Sequence, residues 1–355
     1  MKALMAGLML AWLVAPVQAA PTLQPIPFPD KSCAPAGGLS FVCGPQRAED
    51  GIVIPDTRWL LISGMTPGSG LGVIDMNTKI AYFLYNAKTA KALDRRYPGC
   101  SAPPDPTSFA THGLNLRATA PGRYKLYAVS HGAQESIQAF ALDARGDVPV
   151  LTWKGCVAMP DNHPANGVVS FADGTILATV LSGLKLDDGK LGGAVFAWSP
   201  GEKMFHWFKG TELPSPNGLE ISHDESEFYI ASSNDQSFNV FSRDGRKLRT
   251  TPVPGFNPDN LHWNGNRLVA TGMMHDEPAC GGLKVQGGPY AKCHRGYMVA
   301  EIDPVGLQWK VIAYAEPNPV FEAVASGVIA GDTLWLTTFR GDRVAYRPLP
   351  VPPAQ

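Results

Sequence analysis

Glu49, Asn166, Asn217, Asp259 and Asn260 recur at one kind of place in this sequence: the polar start of an alternating apolar run that opens on glycine or, in one copy, asparagine. If these residues met in space with each amide oxygen turned inward, they would present only oxygen ligands. Two carboxylates plus neutral oxygens suit a hard divalent cation. Ca²⁺ fits best, because it accepts roughly six to eight ligands in loose geometry. Without a cation, two converging carboxylates would repel each other. A single Asn-Gly or Asp-Asn is an ordinary turn signal; five such residues at one repeated position argue for a site. His112 belongs to the same series, and His131 follows it 19 residues later. Histidine titrates near neutrality when unperturbed, so this pair could move a proton in a hydrolysis. A histidine base of that kind would make kcat/KM rise through roughly pH 6–7. The plainer reading is a pair of hydrogen-bonded structural histidines. His275, in a loop after the fifth copy of the pattern, is a candidate pocket residue or an exposed loop histidine. Zinc is disfavoured, since no CxxC or HxxxH spacing occurs. Ser63-Gly64 and Ser182-Gly183 are not nucleophile elbows, since no G-x-S-x-G occurs.

The elements that would position these residues repeat with them. Segments starting at Glu49, His112, Asn166, Asn217, Asp259 and Ser326 share one plan. Each has a polar residue, a glycine (asparagine in the fifth), an alternating apolar strand, a turn and a second apolar strand. That is a β-hairpin signature. The glycine or asparagine positions are 51, 113, 167, 218, 260 and 327, at intervals of 62, 54, 51, 42 and 67 residues. Each interval holds one four-stranded propeller blade of roughly 40–50 residues plus loops. The expectation is an all-β chain, a six-bladed β-propeller with a central metal site, as one domain over residues 20–355. The first strand of each propeller blade lines the central channel, so residues just before those strands converge on the axis. A β-sandwich has no reason to repeat the same polar start six times. Trp153, Trp198, Trp207, Trp263 and Trp335 lie in strand-like runs and read as packing. The Pro-rich ends, Pro21 to Pro29 and Pro348 to Pro353, read as tails or blade-closing arms.

Composition sets outer bounds. The 355 residues carry a formal net charge of −1 and 17% charged residues, with 37 Gly and 32 Pro. That balance gives no electrostatic grip on nucleic acid or anionic lipid. Residues 1–19 read as a signal peptide: Lys2, an apolar run from Ala3 to Val14, and Val17-Gln18-Ala19 before the cut. Nothing later is apolar for long enough to suggest a transmembrane span. The mature protein is therefore expected to be soluble and exported, secreted or periplasmic. Export makes six cysteines a disulfide set. Cys33–Cys43 and Cys280–Cys293 are the local pairings, leaving Cys100–Cys156, although fifteen connectivities are open.

Taken in order, Glu49-Asp50, His112-Gly113-Leu114, Ala165-Asn166-Gly167, Pro216-Asn217-Gly218-Leu219 and Pro258-Asp259-Asn260-Leu261 resemble the paraoxonase (arylesterase) family. That family lies within the wider calcium-dependent propeller lactonases, which include the gluconolactonases. Tyr127-Ala128-Val129-Ser130-His131 adds to the likeness, which runs from about residue 45 to 345. The resemblance implies a catalytic Ca²⁺ held by Glu49, Asn166, Asn217, Asp259 and Asn260, and a His112–His131 proton shuttle. The implied substrate is a small-molecule lactone or ester, whose carbonyl the ion would polarise as a Lewis acid. The simpler gluconolactonases lack the histidine pair. Two departures stand out. A second, structural Ca²⁺ in paraoxonases uses an Asp directly after the first Asn, where this chain has Gly167; Asp50 and the Leu114 carbonyl remain. The family also closes its ring with a disulfide between the chain ends, but the last cysteine here is Cys293, so strand pairing must close it. The base is open between His112, aided by His131, and a metal-bound Asp259 or Glu49. Two other functions remain open: a sugar-lactone hydrolase, and a non-catalytic secreted propeller with a structural ion.

Overall fold

A computed structural model describes residues 22–28, 32–132, 134–186, 188–274 and 294–349. They form six antiparallel-based sheets, the blades of a β-propeller. The innermost strands are Gly51–Val53, Ala110–Ala120, Ala165–Ser170, Pro216–Ile221, Phe256–Asn264 and Val324–Ala330, for blades 1 to 6. Each packs against the next, and the sixth returns to the first, closing a ring. The hairpins read from the sequence are the two inner strands of every blade. Pro160–Asn162 is the one helical turn among the described residues, and none of these residues forms a helix long and apolar enough to cross a membrane.

The ring closes without a terminal disulfide. Ser40–Cys43, from the N-terminal side, pairs antiparallel with Arg343–Pro348 and becomes the outer strand of blade 6. Gln24–Pro25 adds an edge strand to blade 1. Cys33–Cys43 ties down the closing strand, and Cys100–Cys156 fastens the long connection into blade 2 to that blade's fourth strand. The expected Cys280–Cys293 pairing lies outside the described residues, as do the signal segment and His275.

Burial explains why alternating strands make this shape. Six apolar clusters occupy the six interfaces between neighbouring blades. Trp59 and Leu61 of blade 1 meet Leu126, Phe140 and Trp153 of blade 2, for example. Trp153, Trp198 and Trp335 are fully buried, as packing residues should be. Because each sheet is covered on both faces, the polar residues of the inner strands are left to face the axis.

Candidate metal and hydrolytic site

In blades 2 to 6 the polar dipeptide is a β-bulge. Three steps along the inner strand match two along its partner: Thr111–Leu114 against Ser130–Ala128, and Ala165–Val168 against Val180–Ala178. The same slip occurs at Pro216–Leu219, Pro258–Leu261 and Val324–Gly327. The extra residue breaks strict alternation and re-aims a side chain, a common use of bulges beside functional sites. It turns His112, Asn166, Asn217 and Asp259 toward the axis. The neighbouring glycine is required by close approach. A Cβ on Gly113 would lie 2.3 Å from the Asn166 carbonyl oxygen, and one on Gly218 2.3 Å from that of Asp259.

Hydroxyls on second strands, or directly after one at Ser233, hold the same backbones. Thr179 donates to the Asn217 carbonyl at 2.7 Å, and Thr337 to the Glu49 carbonyl at 2.6 Å. Ser233 accepts from Asn217 Nδ2 at 3.0 Å and donates to the Pro258 carbonyl at 2.7 Å. The Thr179, Thr337 and Ser233–Pro258 bonds join adjacent blades, so the positions of the inward side chains are set by the packing of the whole ring.

Glu49, His112, Asn166, Asn217 and Asp259 line one cavity of about 260 Å³, with Met65, Leu181, Met273 and Phe339 supplying apolar wall. Asn260 lies behind Glu49, donating Nδ2 to Glu49 Oε1 at 2.7 Å. A larger groove of about 690 Å³ on blade 2 holds Asp143 and Arg145, which are already paired with each other. The cavity at the axis differs in its unsatisfied groups. Glu49 Oε2, Asn166 Oδ1 and Asn217 Oδ1 are buried and have no hydrogen-bond partner. All three are oxygens, whereas the amide nitrogens of Asn166, Asn217 and Asn260 each have a partner. Buried polar oxygens are costly when unpaired, and this set fits a hard cation. Among the described residues no three His, Cys, Asp or Glu side chains cluster as a metal site; the donor set is two carboxylates with amides, which suits Ca²⁺ rather than zinc. Burial raises the Glu49 pKa to about 8, reinforced by Asp50 and opposed by the Asn260 hydrogen bond. Burial and then Glu49 hold Asp259 well above the usual carboxylate range. Two carboxyls with high proton affinity form a place where a cation could displace protons.

The histidines also meet. His112 Nδ1 lies 2.8 Å from His131 Nε2, and His131 Nδ1 2.7 Å from Glu135 Oε2. His112 Nε2 faces the cavity, 3.3 Å from Asn166 Nδ2 and 3.5 Å from Glu49 Oε1. Burial lowers the His112 pKa to about 4, against the pull of Asp50 and Glu135. The imidazole is therefore neutral at physiological pH, and a rate limb at pH 6–7 is not what this histidine would give.

No protein-family model and no curated protein matches this sequence. Solved structures do match by shape. A gluconolactonase from Xanthomonas campestris aligns at a TM-score of 0.52 and 17% identity, over 88% of this chain and 89% of its own. A luciferin-regenerating enzyme aligns at 0.51 and 13%, over 88% and 97%. The shared feature is the propeller fold.

Asp50 and Leu114, the residues left for a second ion, come together: the Leu114 N–H donates to Asp50 Oδ2 at 2.9 Å. Asp50 Oδ1 accepts from Gly51 N at 2.8 Å and lies 2.7 Å from His262 Nε2. Burial opposes charge on His262, yet Asp50, Glu220 and Glu49 outweigh it and raise its pKa. Glu220 is pushed up to about 7 by burial. Reading for bulge residues alone missed His262 and Glu220. His262 follows Asn260 by two, and period-two alternation puts both on one strand face. Glu135 was missed too; its signal is a carboxylate four residues after His131, across Gly132.

Proposed function

We propose that this chain is an exported calcium-dependent hydrolase of lactones or aryl esters, acting at the axial cavity. The carrying observation is the convergence of three orphaned buried oxygens, on Glu49, Asn166 and Asn217, beside Asp259 and His112. Glu49, Asn166, Asn217, Asp259 and Asn260 would hold the ion, with Asn260 acting partly through Glu49. The ion, when bound, supplies Lewis-acid stabilisation of charge developing on the substrate carbonyl oxygen. The chain's own residues do the rest. His112, neutral and facing the cavity through Nε2, accepts the proton of an attacking water. His131 shares hydrogen bonding with its outer nitrogen. Asn166 Nδ2, 3.3 Å from His112 Nε2, gives way to that water. Met65, Leu181, Met273 and Phe339 exclude water and favour an apolar or aryl substituent. Two disulfides in place support an oxidising destination.

A second reading is a sugar-lactone hydrolase, favoured by the shape match to a protein described as a gluconolactonase. A non-catalytic propeller with a structural ion is the third. One assay separates them: hydrolysis of aliphatic lactones, aryl esters and aldonolactones, with EDTA and after calcium is returned. The proposal expects chelator-sensitive turnover of the first two classes. Turnover of aldonolactones alone selects the sugar-lactone reading, and no turnover in any class selects the binding module.

A further inference from the structure

Resting on the hydrolase reading, we infer that Glu135 is a positioning residue that sets the direction of the His112–His131 hydrogen bonds and so gives His112 a bare nitrogen in the cavity. The chain of polarity starts outside the pocket. An ionised carboxylate only accepts hydrogen bonds. At 2.7 Å from Glu135 Oε2, His131 Nδ1 must therefore carry the proton. A neutral imidazole has one donor and one acceptor, so His131 Nε2 is the acceptor. His112 Nδ1, 2.8 Å away, must donate to it. That leaves His112 Nε2 as a lone pair facing the cavity, where Asn166 Nδ2 can donate at 3.3 Å.

The opposite direction fails on distance. A proton on His112 Nε2 could reach Glu49 Oε1 only at 3.5 Å. It would also require His131 Nδ1 to be bare, setting two acceptors against each other at 2.7 Å. Loss of the short contact outweighs gain of the long one.

Glu135 is built to hold this place. Its side chain and that of His131 are 12% and 24% exposed. Its backbone N–H donates to Asn162 Oδ1 at 2.9 Å, and its carbonyl accepts from Met159 N at 2.9 Å. Asn162 sits at a φ of 55°, in a left-handed turn shortly after Cys156 of the blade-2 disulfide. The turn thus braces the carboxylate that fixes the histidines.

The test is ¹⁵N NMR of histidine-labelled protein together with steady-state kinetics. In the wild type, His131 is expected to be protonated at Nδ1 and bare at Nε2, with His112 likewise protonated at Nδ1. Glu135→Ala should move the His131 proton toward Nε2 and lower kcat about 10–100-fold, the usual cost of losing a residue that orients another, with KM and calcium affinity unchanged. Glu135→Gln, whose amide oxygen still accepts, should keep the wild-type tautomers and most of kcat. A wild-type His131 protonated at Nε2, or at both nitrogens, overturns the inference even if Glu135→Ala does not fold. So does a folded Glu135→Ala protein with wild-type kcat. The spectrum does not depend on turnover: the expected tautomers in a protein that hydrolyses no ester would support the relay while removing the hydrolase reading.

Discussion

Asp259 and Asn217 face the same cavity but should not matter equally to it. Asp259 brings a formal charge, and Asn217 one neutral oxygen that has no other partner. Asp259→Ala is expected to weaken calcium binding beyond the 10–100-fold typical of outer partners, to roughly 1000-fold, and Asn217→Ala by about 10-fold. A calcium titration of each variant measures this; equal affinities would mean that the site lies elsewhere. His112 gives the pH prediction. With its pKa lowered to about 4 by burial, kcat/KM at saturating calcium should be level from about pH 6 to 8 and fall as pH drops toward 4. A His112→Gln protein should lose activity across the plateau while keeping its ion. A wild-type limb centred near 6.5 would show instead that the imidazole is well solvated.

At the scale of the strand, the bulge makes the site. Gly218→Ala would put a Cβ 2.3 Å from the Asp259 carbonyl oxygen. The resulting shift should cost about 1–3 kcal/mol of stability, as overpacking does, and weaken calcium binding although no ligand is changed. Chemical denaturation and a calcium titration read the two effects; a variant with wild-type values in both would show that the close approach is relaxed in solution. The polar-Gly repeat was legible in sequence because the bulge needs a small residue where the next blade's carbonyl comes near. Its meaning as a bulge was not, because register is set by pairing with a strand distant in sequence. Glu49 and Asn260 illustrate a second limit. Asn260 reads as a ligand from the sequence, while its Nδ2 donation to Glu49 depends on blades 5 and 1 meeting across the axis, which only the closed ring determines. The bracing hydroxyls, Thr179, Ser233 and Thr337, look like ordinary strand and turn residues until the neighbouring blade is in place. His262 was within reach of a period-two reading, yet its partner Asp50 lies 212 residues away.

At the scale of the whole ring, ion and fold are coupled. Glu49 has its pKa raised from 4.5 to about 8, so the folded metal-free chain holds this proton more tightly than the unfolded chain. The stability this proton contributes is present in full below about pH 4.5 and is lost as pH rises through about 8. Asp259 acts in the same direction. A cation that takes the place of those protons should remove the loss. The Tm of EDTA-treated protein is therefore expected to fall between pH 5 and pH 8, while calcium-saturated protein changes little. At a hundredfold excess over Kd the ion adds about 2.7 kcal/mol, roughly 5 °C in Tm, with the larger gain at pH 8. Equal gains at both pH values would separate the ion from these carboxyls. The most direct test of the account is a calorimetric calcium titration of chelator-stripped protein, wild type beside Asp259→Ala. Wild-type protein is expected to take up an ion at the axis, and the variant to take up none over the same concentrations; no uptake by the wild type, or equal uptake by both, would contradict it.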